Sequence, residues 1–463
     1  MRILVFSIFL LFSISAAAED FGNAFWVWHR SYKLNETEET TLKAGGVKRI
    51  FWHAGSWDWN AGKPGFGGGG LPRKPGDPDL EVVPVIRLAA DASQVETAEA
   101  RAALIQFVEN FIQKHGPSAL QIDYDCPDRL LPEYQQLLSA VRDEIAPREL
   151  SVTTLAGWVK LEVFAEFTTS VDWLAPMFYD LWTDQSEDVQ AGKIRPLADP
   201  ESDELIKAWS ACPIPWEAGL PNFARVTLFR ENGLSRGHFP DWPWDLICFN
   251  PGLEIVSEPS PGITLLRARG AQVIQNVKVE EGDLLATKIP SRKQLEVQRR
   301  LALESGARGV IWFRLPGATV PTGLSAADVL ALGSDQQLQV SLKFDGANFV
   351  LANNGKRDLV TRIIGKHGED DRGYQLEIDA GEKARFAEVS GGDFVLMRGH
   401  IEPEADEPKP VGVQAATRLT FWLSHLPAGG EIYSGFVQLK PGSQLTDLRW
   451  RLDGGEWSEF ESE

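Results

Sequence analysis

The chain has 463 residues, with 65 acidic side chains against 46 basic ones and a formal charge of -19. That length exceeds one ordinary domain and predicts two, each able to bury a core. So negative a surface repels phosphate backbones and anionic lipid, which argues against nucleic acid or a membrane as partner and for neutral ligands.

Taken in chain order, Met1-Arg2, the apolar run Ile3 to Ile14 and the small residues Ala16-Ala17-Ala18 read as a signal peptide over 1–18. The apolar part is too short to span a bilayer, so a mature protein exported to the periplasm or the medium is expected. Strand-like and helical runs then alternate. Ala24–Trp28 is the first strand. Asn35 and Glu38 form a capping box for a short helix, and the strands Lys48–His53 and Val82–Arg87 follow. A helix over Thr97–Lys114, the strand Ala119–Asp125 and a helix over Pro132–Ile145 come next. The strands Leu150–Leu155, Asp172–Phe178, Ile214–Leu220 and Arg308–Phe313 complete eight.

Eight strands alternating with crossover helices predict an α/β chain, a closed (β/α)8 TIM barrel over 19–332. The Gly- and Pro-rich stretch Ala61–Gly76 predicts a mobile loop over the barrel mouth, and 233–290 reads as an insertion that walls one side of it. From 335 to 463, short alternating runs such as Leu338–Phe344 and Thr417–Leu423 predict an appended all-β, sandwich-like domain. An acidic loop, Glu402–Pro410, interrupts it.

The chemistry concentrates at the end of the fourth strand. Asp123 and Asp125 are two residues apart, so on a strand both point one way while Ile122 and Tyr124 point the other. Acids at the C-terminal end of a parallel strand lie where α/β barrels place their ligands. The plain alternative is a helix cap or a partner for a buried Arg; Arg87 and Arg314 are expected to form structural ion pairs. Cys126, Cys212 and Cys248 allow at most one disulfide and match no metal motif, and Cys126 faces away from the acids. His29 and His53 lack metal-ligand spacing. No metal or cofactor is called for. Trp57 and Trp59 on a loop, with Trp158 and Trp182 after strands five and six, are candidate sugar-stacking platforms or rim packing.

Three segments resemble glycoside hydrolase family 18, the chitinase-type barrels. Asp123-Tyr-Asp125-Cys-Pro127 resembles the Asp-x-Asp-x-Glu ending of that family's fourth strand. Met177-Phe-Tyr179-Asp180 resembles the Met-x-Tyr-Asp of the sixth, and Gly309-Val-Ile-Trp312 the eighth, with its floor tryptophan. Gly219-Leu-Pro221 falls where the family carries a Gly-x-Pro turn. The resemblance implies an exported barrel acting on glycans. In the family the motif glutamate protonates the glycosidic oxygen and the middle Asp orients the substrate acetamido group, which attacks the anomeric carbon. Pro127 stands here at the acid position. The whole chain more closely resembles a bacterial family of exported proteins known only as a domain of unknown function.

Two expectations follow. One is a glycoside hydrolase acting on a neutral or N-acetylated glycan, with Asp123, Asp125, Tyr179 and Asp180 catalytic and Asp128 or Glu231 as further acid candidates. Trp28, His53, Trp57, Trp158, Met177, Trp182 and Trp312 would hold the sugar, with Trp312 beneath the ring. The other is a non-catalytic glycan-binding barrel, a chitinase-like lectin. In either case the protein is expected to be a monomer.

Overall fold

The computed structural model describes residues 22–28, 34–60, 62–71, 79–89, 93–239, 242, 247, 250–260, 262–317, 323–359, 363–366, 369–372, 374–382, 384–389, 392, 394–400, 416–423, 425–443 and 448–460. Residues 1–18, read above as a signal peptide, His29, Cys248 and the acidic segment 402–410 lie outside these.

Eight strands close the barrel: β1 (Gly22–Val27), β2 (Arg49–Asn60), β4 (Glu81–Leu88), β5 (Ala119–Asp123), β6 (Glu149–Leu155), β7 (Trp173–Met177), β8 (Ala218–Pro221) and β16 (Gly309–Phe313). All are parallel, each beside its chain neighbour, and β1 pairs with both β2 and β16. The helix Ala98–His115 starts at Thr97, whose side chain accepts from the Ala100 amide, and stops at Gly116, left-handed at φ 57. Its apolar stripe of Leu104, Val108 and Phe111 packs on the sheet, as the periodicity demands. The Asn35–Glu38 capping box starts the helix Glu36–Ala44 as read from the sequence.

One crossover departs from expectation. Beyond the barrel β2 continues and turns back as β3 (Lys63–Gly67), pairing antiparallel from Ser56 to Asn60. Phe66 of β3 sits 4.6 Å from the Phe107 ring and 6.4 Å from that of Phe111. The described part of Ala61–Gly76 is therefore a hairpin docked on the outer helix Ala98–His115, not a loop across the mouth. Apolar contact through Phe66 outweighs what the glycines suggested.

Between β8 and β16 the chain builds β9 (Arg225–Phe229), β10 (Ser235–Phe239), β11 (Leu253–Ser260), β12 (Ile263–Ala268), the hairpin β13 (Gln272–Ile274) and β14 (Val277–Val279), and β15 (Leu284–Lys288). Five of these form an antiparallel sheet in the order β10-β9-β15-β12-β11, with its own apolar core. This element begins at Arg225, ahead of the boundary read at 233. The region after Gly333 forms separate antiparallel sheets around a core of Leu342, Phe349, Leu376, Phe386, Phe421 and Trp450, consistent with a sandwich-like domain.

The barrel's inner face is layered. Near the strand N-termini Arg49 bridges Glu81 and Glu149, each at 2.7 Å, and the Trp173 indole donates to Glu149 at 2.6 Å. Above this lie Phe51 and Trp26. Gly219 of β8 leaves room for that indole, since a Cβ there would come within 2.9 Å of it.

Candidate active site

The C-terminal ends of β1, β4, β5, β6, β7 and β16 open into a cavity of about 380 Å³, lined by Trp26, Trp28, Asp123, Asp125, Tyr179 and Phe313 among others. A second cavity of about 550 Å³ shares Asp125, Met177, Tyr179 and Asp180 with it and adds Asp128, Trp158 and Trp182. Asp125 thus faces both halves of one cleft. The floor of the first half is fixed from below. The Trp26 indole donates to Gln121 Oε1 at 2.7 Å, and Gln121 in turn donates to Ser151 at 3.2 Å. These buried polar groups are satisfied without ligand, so the floor is rigid.

Asp123 is the most perturbed acid of the mouth. Burial raises its carboxyl to about 6; Asp125 pushes the same way, while the Thr153 hydrogen bond of 2.6 Å and Arg87 pull it down. Asp125 is more open, and its carboxyl is also raised by the surrounding protein, with Arg87 opposing. Burial is thus the main cause for both carboxyls, and the charge of Asp125 adds to the rise of Asp123. Tyr179 stacks on Phe313 at 5.5 Å, and burial followed by Asp123, Asp125 and Asp180 holds its phenol well above the usual value. It stays a neutral O–H donor.

Asp180 has a different fate from the one its position in the motif suggests. With φ 53 it sits in the left-handed region, and both its oxygens accept from Arg225, at 2.5 and 2.7 Å. That fork engages both carboxylate oxygens and ties Asp180 to the inserted sheet. Nearby, Lys288 of β15 pairs with Asp184, both buried. The inserted sheet is therefore pinned to the mouth by two ion pairs, and it lends Arg225 and His238 to the cleft wall.

The predicted aromatic residues divide. Trp28 and Met177 line the first cavity, Trp182 lines the second with Arg195 over its ring at 4.9 Å, and Trp158 touches the second while being almost wholly buried. His53 lies behind Trp28, stacked at 4.4 Å, and is not exposed to the cavity. Trp57 and Trp312 are both 0% exposed and belong to the outer core between barrel and helices, so neither can stack on a sugar. For Trp312 the reason is strand alternation. Ile311 and Phe313 face in, so Trp312 faces out, where its indole donates to Asn23 at 3.0 Å. Trp57 stacks on Trp59 at 6.4 Å within the same outer layer.

Sequence reasoning missed Trp26, two residues before Trp28 on the same face, and Phe313, in phase with Ile311. Both were legible from alternation alone. Arg225 and His238 carried no local signal. Glu231 lies beside the Gly282 turn and is not among the cleft residues. The Cys126 thiol, buried in the outer core, is pushed up to about 12 by burial and then by Asp128 and Glu133, which disposes of it as a nucleophile. Cys126 and Cys212 are both free thiols. Among the described residues no group of three or more His, Cys, Asp or Glu side chains is placed to hold a metal ion.

A closed parallel barrel with paired carboxyls, a neutral phenol and indoles at its C-terminal mouth defines a TIM-barrel protein with an acid–aromatic cleft. Residues 78–176, which include Asp123 and Asp125, match the family described as Domain of unknown function (DUF3142). No curated protein matches the chain. Among solved structures, the Bacillus cereus spore cortex-lytic enzyme SleL is similar at 12% identity and a TM-score of 0.41, over 64% of this chain and 71% of that one. Chitinase ChiA74 from Bacillus thuringiensis is similar at 10% identity and 0.41, over 94% of this chain and 100% of its own. The chitinase-like agglutinin RobpsCRA from Robinia pseudoacacia gives 13% and 0.41, over 63% and 94%. At such scores the barrel rests on its own strand order, and function on the cleft.

Proposed function

We propose that the protein is an exported carbohydrate-active enzyme of the glycoside hydrolase type, cleaving a glycan of neutral or N-acetylated sugars across Asp125. The observation that carries this reading is the Asp123–Asp125 pair, both carboxyls raised by burial and that of Asp123 to about 6, opening onto a cleft walled by Trp28, Phe313 and Tyr179. A carboxyl that keeps its proton towards neutral pH suits general acid catalysis, and aromatic faces suit the apolar faces of sugar rings. Asp125, shared by both halves of the cleft, is the proton donor to the glycosidic oxygen. Asp123, fixed by Thr153, flanks it; as Asp125 gives its proton the glycosidic bond breaks, water adds to the anomeric carbon, and the proton that water sheds returns to the ionised Asp125. Tyr179 donates a hydrogen bond to the sugar at the cleavage point.

The similarity of the strand-four and strand-six motifs to family 18 supports a glycan as ligand, and the signal-peptide-like sequence of residues 1–18 supports export. Among the described residues no helix is long and apolar enough to cross a membrane. A second reading, a glycan-binding barrel without catalysis, draws on two observations: Pro127 has no proton to give, and Asp180 is committed to Arg225. One comparison separates the two. Unmutated protein and Asp125→Asn are assayed for hydrolysis and for binding over a broad oligosaccharide panel. The hydrolase reading expects turnover that falls by about 100-fold or more in the variant, the scale of a lost general acid, while binding changes little. Binding with no turnover by the unmutated protein establishes the lectin reading, and no binding at all ends both.

A further inference from the structure

Across the whole chain acids outnumber bases 65 to 46, yet the first cavity is lined by three guanidiniums, Arg87, Arg225 and Arg314, against three carboxyls. Two of these opposing groups are committed to each other in the Arg225–Asp180 fork. Arg87 differs from that arginine in every respect that matters. At the end of β4 its side chain is 44% exposed, and its nearest carboxylate oxygen, on Asp123, lies 3.8 Å from Nε, beyond hydrogen-bond distance. Structural pairs elsewhere in this protein are made differently. Arg451 grips Glu377 with two bonds of 2.9 Å, as Arg225 grips Asp180. An exposed, unforked pair contributes little to stability, so fold stability does not explain a guanidinium at this spot. Arg225 adds a second sign of unfilled donor capacity: only 9% of its side chain is exposed, and its buried Nε–H has no acceptor.

We propose that the glycan taken by this cleft bears an acidic substituent, a carboxylate or a sulfate, that Arg87 recognises beside the Asp123–Asp125 pair. This rests on the glycan reading above and, at one position, replaces its neutral sugar with an acidic one. The charge of the whole chain pointed to uncharged sugars, whereas the cleft's own lining points to a negative group on one of them. A planar guanidinium with free donors fits a carboxylate or sulfate in a two-bond fork, where a lysine would supply only a point charge. Arg87 also opposes the raised carboxyls beside it, so an anion bound there competes for the charge that partly stabilises the ionised pair.

The test is calorimetric binding of four probes of equal length to the full chain and to Arg87→Gln: a uronate-containing oligosaccharide, a sulfated one and the neutral counterpart of each. The inference expects one acidic probe to bind the unmutated protein about tenfold or more tighter than its neutral counterpart, on the scale of one charge-assisted contact, and the advantage to shrink with added salt. Which acidic probe shows the advantage distinguishes carboxylate from sulfate. Arg87→Gln is expected to bring the ratio towards one, with the unfolding midpoint confirming that the variant is folded. Equal binding of acidic and neutral probes by the unmutated protein overturns the inference and leaves the glycan reading standing. An acidic preference that survives in Arg87→Gln overturns the assignment to Arg87. Binding of none of the four contradicts both readings.

Discussion

Single side chains decide what the cleft can do, and Asp123 shows how. Its carboxyl titrates at about 6 against 3.8 for an unperturbed aspartate, chiefly because it is buried. The folded state therefore holds this proton more tightly than the unfolded chain does. Its contribution favours folding at low pH and is lost as pH rises between about 4 and about 6. The shift corresponds to a change on the order of 3 kcal/mol, an upper bound for the amide variant because it gives up the attraction of Arg87 and the charge in the Thr153 bond. Asp123→Asn is thus expected to gain stability at pH 7 relative to the unmutated protein but not at pH 4, as read by denaturant unfolding at both values. Glu217, near the strand N-termini, is also raised to about 7 by burial, with Arg308 opposing. The comparison must therefore be a difference between the two proteins. Trp312 provides the contrasting case. As a buried outer-core side chain it should cost about 3–5 kcal/mol when replaced by alanine. If Trp312→Ala weakens glycan binding without lowering stability, its placement outside the cleft is wrong.

At the scale of elements, the inserted β9–β15 sheet matters because it completes a wall that the eight barrel strands leave open. Lys288 and Asp184, 2% and 5% exposed, are one of its two anchors. Breaking such a pair leaves a buried charge without compensation. Lys288→Met is therefore expected to cost about 3–5 kcal/mol, and adding Asp184→Leu should recover most of the loss. A double-mutant cycle on unfolding free energies checks this, and simple additivity of the two losses would refute it. The β2–β3 hairpin and the inserted sheet were the elements least legible in the sequence. Periodicity reports which face of a segment is apolar, but not which neighbour covers it. The glycines around Phe66 looked like a loop because the contacts of that ring with Phe107 and Phe111 come from a helix some forty residues later.

Over the whole molecule, barrel and C-terminal sheets meet at Asp358. Its carboxylate accepts from the Ser325 amide at 2.7 Å, the Ser325 hydroxyl at 2.6 Å and the Ala428 amide at 2.8 Å, and it faces His425 at 3.4 Å. Burial pushes this carboxyl up, but the His425 contact and the Ser325 bonds outweigh it and hold it below its usual value. Its contribution is therefore present above the ordinary aspartate range and is lost as pH falls through it, opposite in sign to that of Asp123. Removing the carboxylate strands several buried donors. Asp358→Ala should lower unfolding free energy by about 3 kcal/mol or more at pH 7 and by less in acid. An unchanged midpoint at pH 7 would show that this junction does not hold the two regions together.

The linear chain by itself determined the eight strands, most of their helices and the pairing of Asp123 with Asp125 on one face, because periodicity and capping act over a few residues. It also marked Tyr179 and Trp28 for the mouth. Tertiary structure alone decided that Trp312 and Trp57 face outward and that Asp180 is spent on Arg225. It likewise decided that Arg87 faces Asp123 at 3.8 Å without a hydrogen bond. Those outcomes depend on which segments, distant in sequence, close around each side chain, and on how far each carboxyl is then withdrawn from water.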